Sequence, residues 1–250
     1  MKKEDVLKQL STPIVACPSP NVPHRFNNRG YLYIVYRTDR KALEKVVPEP
    51  LELLDDPLVR FEVMYMSDAT GFGVYTESGQ AIPVSYNGVV GDYFHMMYLD
   101  NYEAIDGGKN ISAYPKKIGY PKLYFDNNTI VGTLDYGRDH KFRIANATMT
   151  YKYEKLSEEE AIRQLTAPTY MLKLYPNYDK SLRIAEMTEC AIDRKDVEIL
   201  EAWTGDARLQ LFDHVNCPLA DLPVREIVSS SYIVANVKLA APHVVYNYLK

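Results

Sequence analysis

Residues 58–66 read LVRFEVMYM. Successive side chains of an extended chain point to opposite faces. Val59, Phe61, Val63 and Tyr65 therefore share one face, and Arg60, Glu62, Met64 and Met66 the other. With no Gly or Pro inside it, the stretch reads as a strand. Similar short runs occur at 31–37, 72–77, 80–86, 92–99, 130–136, 141–153, 169–175, 182–192, 197–203, 207–212 and 229–239. Turn signals join several of them: Asn87-Gly88, Asp126-Asn127-Asn128 and Tyr136-Gly137. Repeated short strands with few helices predict an α+β fold, predominantly antiparallel β. Its form is a large sheet or an irregular, cone-like β-barrel with a few peripheral helices.

Helical signals are sparse. Val6, Leu7 and Leu10 sit at helical spacing before Thr12-Pro13. Thr38-Asp39 can cap a helix with Ala42, Leu43, Val46 and Val47 on its apolar face, ended by Pro48. Ser157 to Glu160 forms an S-x-x-E capping box ahead of Ala161, Ile162 and Leu165, with Pro168 as the stop. Residues 242–249 read as a short helix with Pro242 in its first turn.

The chain has 250 residues, 46% hydrophobic and 25% charged, which is ordinary for a globular protein. A chain of this length buries roughly 70–75% of its unfolded surface, so its core needs no disulfide or metal. No repeat, low-complexity stretch or linker divides it, and one domain over 1–250 is expected. The net charge of −4 makes a poor polyanion binder, so no nucleic acid is expected as partner. Cys17, Cys190 and Cys217 form no CxxC and read as reduced thiols of a cytoplasmic protein. The N-terminal segment lacks the apolar h-region of a signal peptide. No run of about 18 apolar residues exists to span a membrane. Tyrosine supplies 21 of the 29 aromatic residues, against 7 Phe and 1 Trp, so aromatic walls here will carry hydroxyls.

The five histidines, His24, His95, His140, His214 and His243, show no metal-ligand spacing, and no metal is expected. Gly71-Phe72-Gly73 lacks the third glycine of a dinucleotide loop. No GxSxG or P-loop is present.

Residues 112–121, SAYPKKIGYP, are more informative. An ordinary exposed turn with two solvated lysines would account for them. However, Tyr114, Ile118 and Tyr120 flank Lys116 and Lys117 with apolar surface. Burial disfavours an ammonium, and fully buried lysines reach a pKa of about 5–6. Such an amine attacks a ketone near neutral pH. Like charge from Lys117 would act on Lys116 in the same direction as burial. If 116–118 is extended, the two lysines point apart and burial dominates; if it is a turn, both converge. Burial is the preferred cause.

These strings, with others along the chain, resemble the acetoacetate decarboxylase family from end to end. They are Asn28-Arg29, IVYRTD (34–39), KVVPEPLE (45–52), PLVRFE (57–62), YTESGQAIPVS (75–85), GDYFHMMYLDN (91–101), SAYPKKIGYPKL (112–123), VGTLDYG (131–137), EAWTGDARLQLFDH (201–214) and LPVREIVSSS (222–231). The resemblance implies decarboxylation of acetoacetate to acetone and CO2 through a lysine Schiff base, with no metal or organic cofactor, in a large homo-oligomer. Lys116 matches the Schiff-base lysine and Lys117 its basic neighbour. Glu77 matches the active-site glutamate, Glu62 a second pocket carboxylate and Arg29 the pocket arginine. Tyr114 and Tyr120 are expected to form an aromatic wall beside the lysine. Two other readings stand beside this one: a related Schiff-base aldolase or dehydratase, and a non-catalytic pocket for small acids. Glu77 with Arg29 would also serve as a plain structural ion pair.

Overall fold

The computed structural model describes residues 1–19 and 21–250. In chain order its strands are β1 (Arg25–Arg37), β2 (Glu52–Leu53), β3 (Leu58–Ala69), β4 (Gly73–Tyr86), β5 (Val89–Leu99), β6 (Lys116–Ile118), β7 (Tyr120–Asp126), β8 (Thr129–Tyr136), β9 (Phe142–Thr150), β10 (Glu154–Lys155), β11 (Thr169–Pro176), β12 (Leu182–Cys190), β13 (Val197–Thr204), β14 (Ala207–Leu211), β15 (Glu226–Lys238) and β16 (His243–Asn247). The α-helices are α1 (Lys3–Val6), α2 (Arg40–Leu43), α3 (Tyr102–Asn110) and α4 (Glu158–Thr166).

Twelve strands form one sheet in the order β10-β13-β15-β1-β3-β4-β5-β11-β12-β16, with β2 beside β4 and β6 beside β5. The order ends on two free edges, so the architecture is the large sheet rather than the closed barrel. Pairing is antiparallel except where β5 meets β11 and β6, which run parallel to it. A second sheet, β14-β9-β8-β7, packs against one face of the first. Gly132 in β8 lies so close to Val63 and Leu32 that a Cβ there would press on both.

The alternation in 58–66 is realised in the structure, with one addition: both faces are buried. Val59, Phe61 and Val63 join Leu32, Ile34, Ile130, Leu134, Ile144 and Met149 in an apolar core between the two sheets. Each such side chain contributes about 1.5–3 kcal/mol through burial. Met64 and Met66 lie on the other face with Tyr31, Tyr33, Tyr75, Ile233, Ala104 of α3 and Leu165 of α4. Only Tyr65, at 39% exposure, escapes this double burial.

The Asn87-Gly88 turn joins β4 to β5 with positive φ at both residues (49° and 80°), which matches the right-handed twist of the flanking strands. The runs 72–77 and 80–86 are one strand, β4. Gly79 between them is no turn, because a Cβ there would strike the backbone carbonyl of Met96. At that point β5 bulges around His95: Gln80 pairs with Met96, but Ala81 with Phe94.

The Ser157 cap is formed, its oxygen accepting from the Glu160 N–H at 3.2 Å. Ala161, Ile162 and Leu165 of α4 are buried as its periodicity predicts. One reading is corrected and one helix was unforeseen. Residues 243–247 are not helical but form β16, pairing antiparallel with β12. Val244, Val245 and Tyr246 are β-branched and aromatic, and the open edge of β12 settles the matter. α3 carried no apolar stripe in sequence, since Gly107-Gly108 interrupts it. It is nonetheless capped by Asn101, which accepts from the Ala104 N–H at 2.8 Å.

Candidate active site

The site lies on the face of the large sheet that does not meet the second sheet. Arg29 and Tyr31 reach it from β1, Arg60 and Met64 from β3, Tyr75 and Glu77 from β4, and Asp92 and Phe94 from β5. Strand alternation makes this possible. Register places Tyr31 opposite Met64 and Met64 opposite Glu77, so these residues form one row across three strands. Leu165 and Ala167, at the end of α4, close the opposite wall. The cavity is about 80 Å³, room for a few waters or a small ligand.

Lys116 reaches the cavity from β6 through a short detour. Helix α3 ends, and Ala113 turns the chain back at φ 66°. The Tyr114 N–H then donates to the Gly108 carbonyl at 3.0 Å. β6 pairs in parallel with β5, Met97 opposite Lys116 and Tyr98 opposite Lys117. The stretch is therefore extended, and the two lysines point apart. Lys116 is buried, 8% exposed, and its Nζ forms an ion pair with Glu77 Oε1. That Nζ also lies 5.3 Å from the centre of the Tyr114 ring and 5.9 Å from that of Tyr75. Lys117 is outside the cavity, donating to the Asn216 carbonyl at 2.7 Å and lying over Tyr98 and Tyr136.

Arg29 completes the group. Its Nη2 is 3.8 Å from Glu77 Oε2, and its guanidinium stacks 4.8 Å from Phe26 and 4.7 Å from Tyr31. Among the described residues, its Nε and the Tyr31 hydroxyl have no hydrogen-bond partner. Burial opposes the charge of Arg29, but the negative field of Glu77 helps hold the guanidinium above its usual range. Burial likewise raises the hydroxyls of Tyr31, Tyr33, Tyr75 and Tyr114 above the usual phenol range. All four stay neutral.

Glu62 is fully buried but does not line the cavity; it sits behind Arg60, which donates to it from Nε at 3.3 Å. Burial pushes its carboxyl up to about 7, against the pull of Arg60 and Arg29. Arg60 also donates to Asp92 at 2.5 Å and stacks on Tyr33 at 4.6 Å. Tyr120 is elsewhere, stacked on His140. The aromatic wall expected from Tyr114 and Tyr120 is built instead from Tyr114, Tyr75, Tyr31 and Tyr33.

Sequence reasoning passed over Arg60, Asp92, Tyr31, Tyr33 and Tyr75 as site residues. In strand 58–66, Arg60 and Glu62 share the face with Met64 and Met66 that proves to be covered. Among the described residues, no group of three or more His, Cys, Asp and Glu gathers as for a metal ion.

Comparison with known proteins accounts for nearly the whole chain. The family model for acetoacetate decarboxylase (ADC) matches residues 11–249. The chain belongs to the acetoacetate decarboxylase family. An acetoacetate decarboxylase of Clostridium acetobutylicum is 60% identical over the full length of both chains. One of Clostridium botulinum is 58% identical, again over both full lengths. A solved acetoacetate decarboxylase structure, 60% identical, superposes with a TM-score of 0.96 over all of both chains. That of Legionella pneumophila is 38% identical, with a TM-score of 0.88 over 92% of this chain and 90% of its own. The large sheet with its few helices is thus the acetoacetate decarboxylase architecture.

Proposed function

We propose that this protein decarboxylates acetoacetate to acetone and CO2 through an imine on Lys116. The observation that carries this reading is the meeting of the Lys116 amine, the Glu77 carboxylate and the Arg29 guanidinium in one small buried cavity. Membership of the family supports the substrate.

A β-keto acid that loses CO2 leaves an electron pair that needs a sink. Lys116 Nζ adds to the keto carbon, and loss of water gives an iminium. The electrons of the bond to the carboxylate then flow into the iminium, CO2 departs, and an enamine remains. A proton added at carbon gives the acetone iminium, and water releases acetone and the free lysine. One hard step is replaced by several easier ones.

Glu77, paired with Lys116, takes the proton that frees the amine. It returns that proton to the departing water during dehydration, and then relays a proton from solvent water to the enamine carbon. Arg29, with an unused Nε, orients the substrate carboxylate beside the unpartnered Tyr31 hydroxyl. The negative Glu77 also disfavours the substrate carboxylate more than the neutral CO2 that follows it, which favours the bond-breaking step. Glu62 acts through Arg60, holding that guanidinium on the far wall. The chain works as one domain over 1–250, in the cytoplasm, as a homo-oligomer.

Borohydride reduction in the presence of acetoacetate, followed by peptide mass analysis, tests the chemistry. An isopropyl-type adduct on Lys116 is expected, with acetone and CO2 as products. No adduct on Lys116 would overturn the imine. An aldol or dehydration product in place of acetone would move the protein to a related Schiff-base activity.

A further inference from the structure

Lys116 is buried, but burial alone does not aim a four-carbon side chain with several rotatable bonds. Something must hold its stem so that Nζ meets Glu77. The wall on that side is α3, and the residue in contact is Gly108. A Cβ built on Gly108 would lie 2.7 Å from Lys116 Cδ, 2.8 Å from Cε and 3.0 Å from Nζ. Real side chains do not approach so closely, so alanine there and the present path of Lys116 exclude each other. Gly108 also anchors the other end of the same segment, since its carbonyl accepts from the Tyr114 N–H at 3.0 Å. Between them Ala113 holds a left-handed φ of 66° while 3% exposed, a conformation that costs a non-glycine residue energy and persists only where surroundings enforce it.

Glycine inside a helix is otherwise a liability, worse than alanine by its backbone entropy. Gly108 lies in the last turn of α3 with helical residues on both sides, so no positive φ requires it. Its use is the space it leaves.

We propose that Gly108 is a positioning residue: the missing side chain opens the channel in which the Lys116 stem lies and so presents Nζ to Glu77 and the substrate. The proposal rests on the reading of Lys116 as the imine-forming amine. Gly108→Ala moves the amine by the overlap of about one ångström, and a misplacement of that size costs about a hundredfold in rate.

The test is a cycle of Gly108→Ala and Lys116→Ala, read by thermal unfolding. It is joined to the rate of borohydride trapping at saturating acetoacetate in wild type and Gly108→Ala. Expected is a trapping rate and kcat lower by about a hundredfold in Gly108→Ala, with its Tm no lower than a few degrees below wild type. In the Lys116→Ala background, where the stem is gone, Gly108→Ala should raise Tm, as helix propensity dictates. If Gly108→Ala alone fails to fold, the double variant must fold; its failure as well would overturn the proposal. So would wild-type trapping by Gly108→Ala, or equal Tm changes in the two backgrounds. Absence of trapping in the wild type would instead overturn the imine chemistry, while the Tm cycle would still report on the channel.

Discussion

β1, β3 and β4 present two buried faces of opposite character. Toward the second sheet they offer Leu32, Ile34, Val59, Phe61, Val63, Ile82 and Val84, with no charged residue among them and with Gln80 tied to the Tyr36 hydroxyl and the Leu219 carbonyl. Toward α3 and α4 the same strands offer Arg29, Tyr31, Tyr33, Arg60, Glu62 and Glu77. The apolar face stabilises the fold by excluding water. The charged face costs stability, because every ion taken from water must be repaid by a partner. That cost is met by pairing Arg60 with Asp92 and Glu62, and Glu77 with Lys116 and Arg29. The asymmetry is what the proposed chemistry on the charged face requires.

The sharpest separation of the faces comes from one substitution on each. Lys116→Met should lower acetone release by about 10⁴-fold or more, equivalent to about 5 kcal/mol of barrier, measured by steady-state kinetics on folded protein. Phe61→Ala, on the opposite side of the sheet, should cost about 3–5 kcal/mol of stability by urea unfolding. At a temperature where the variant is folded, it should leave kcat near wild type. Loss of kcat in the folded Phe61 variant would mean that the faces are mechanically coupled.

The pH dependence of stability sets Glu62 against His95. Burial pushes Glu62 up to about 7, from 4.5 in the unfolded chain. Between those values the folded state holds the extra proton, so this group makes stability fall as pH rises, by about 3 kcal/mol in all. Burial lowers His95 from 6.5 to about 4, with Asp221 opposing the shift. Between those values the unfolded chain holds the extra proton, so this group makes stability rise with pH by a similar amount. In the wild type the two slopes offset each other between pH 4.5 and 6.5. Glu62→Gln should leave the rising slope exposed and His95→Gln the falling one, each read by chemical unfolding across that range. Parallel profiles for the two variants would show that neither group titrates as its burial requires.

The smallest effect concerns Lys117, which sits on the other side of β6 from the amine. Its bond to the Asn216 carbonyl pins a strand of only three residues. Lys117→Met should lower kcat by about tenfold through looser register of β6. Because the cause is mechanical, added salt should not alter the ratio to wild type. A ratio that changes strongly with ionic strength would show that its charge acts on the site directly.

Much of this was legible in the chain. Strand 58–66 has a period of two at its start, as an extended backbone requires, and short apolar runs bounded by turn signals marked several of the other strands. The strings around Arg29, Glu77 and Lys116 identified a family and three residues that the fold gathers around one cavity. Other features were not legible. Residues 243–247 became a strand because the edge of β12 was open, and residues 102–110 became a helix despite two glycines. Arg60 and Asp92 were not singled out, because nothing local tells a strand which of its faces will be covered.

The sequence by itself determined where the chain is extended and which side chains share a face, since alternation is a property of neighbouring residues. Tertiary structure alone decided that both faces of the central strands are buried, that Lys116 points inward while Lys117 points out, and that Gly108 leaves room for the lysine stem. Each of these depends on contacts between segments distant in the chain, and the energy of burial is set by what arrives to cover a surface.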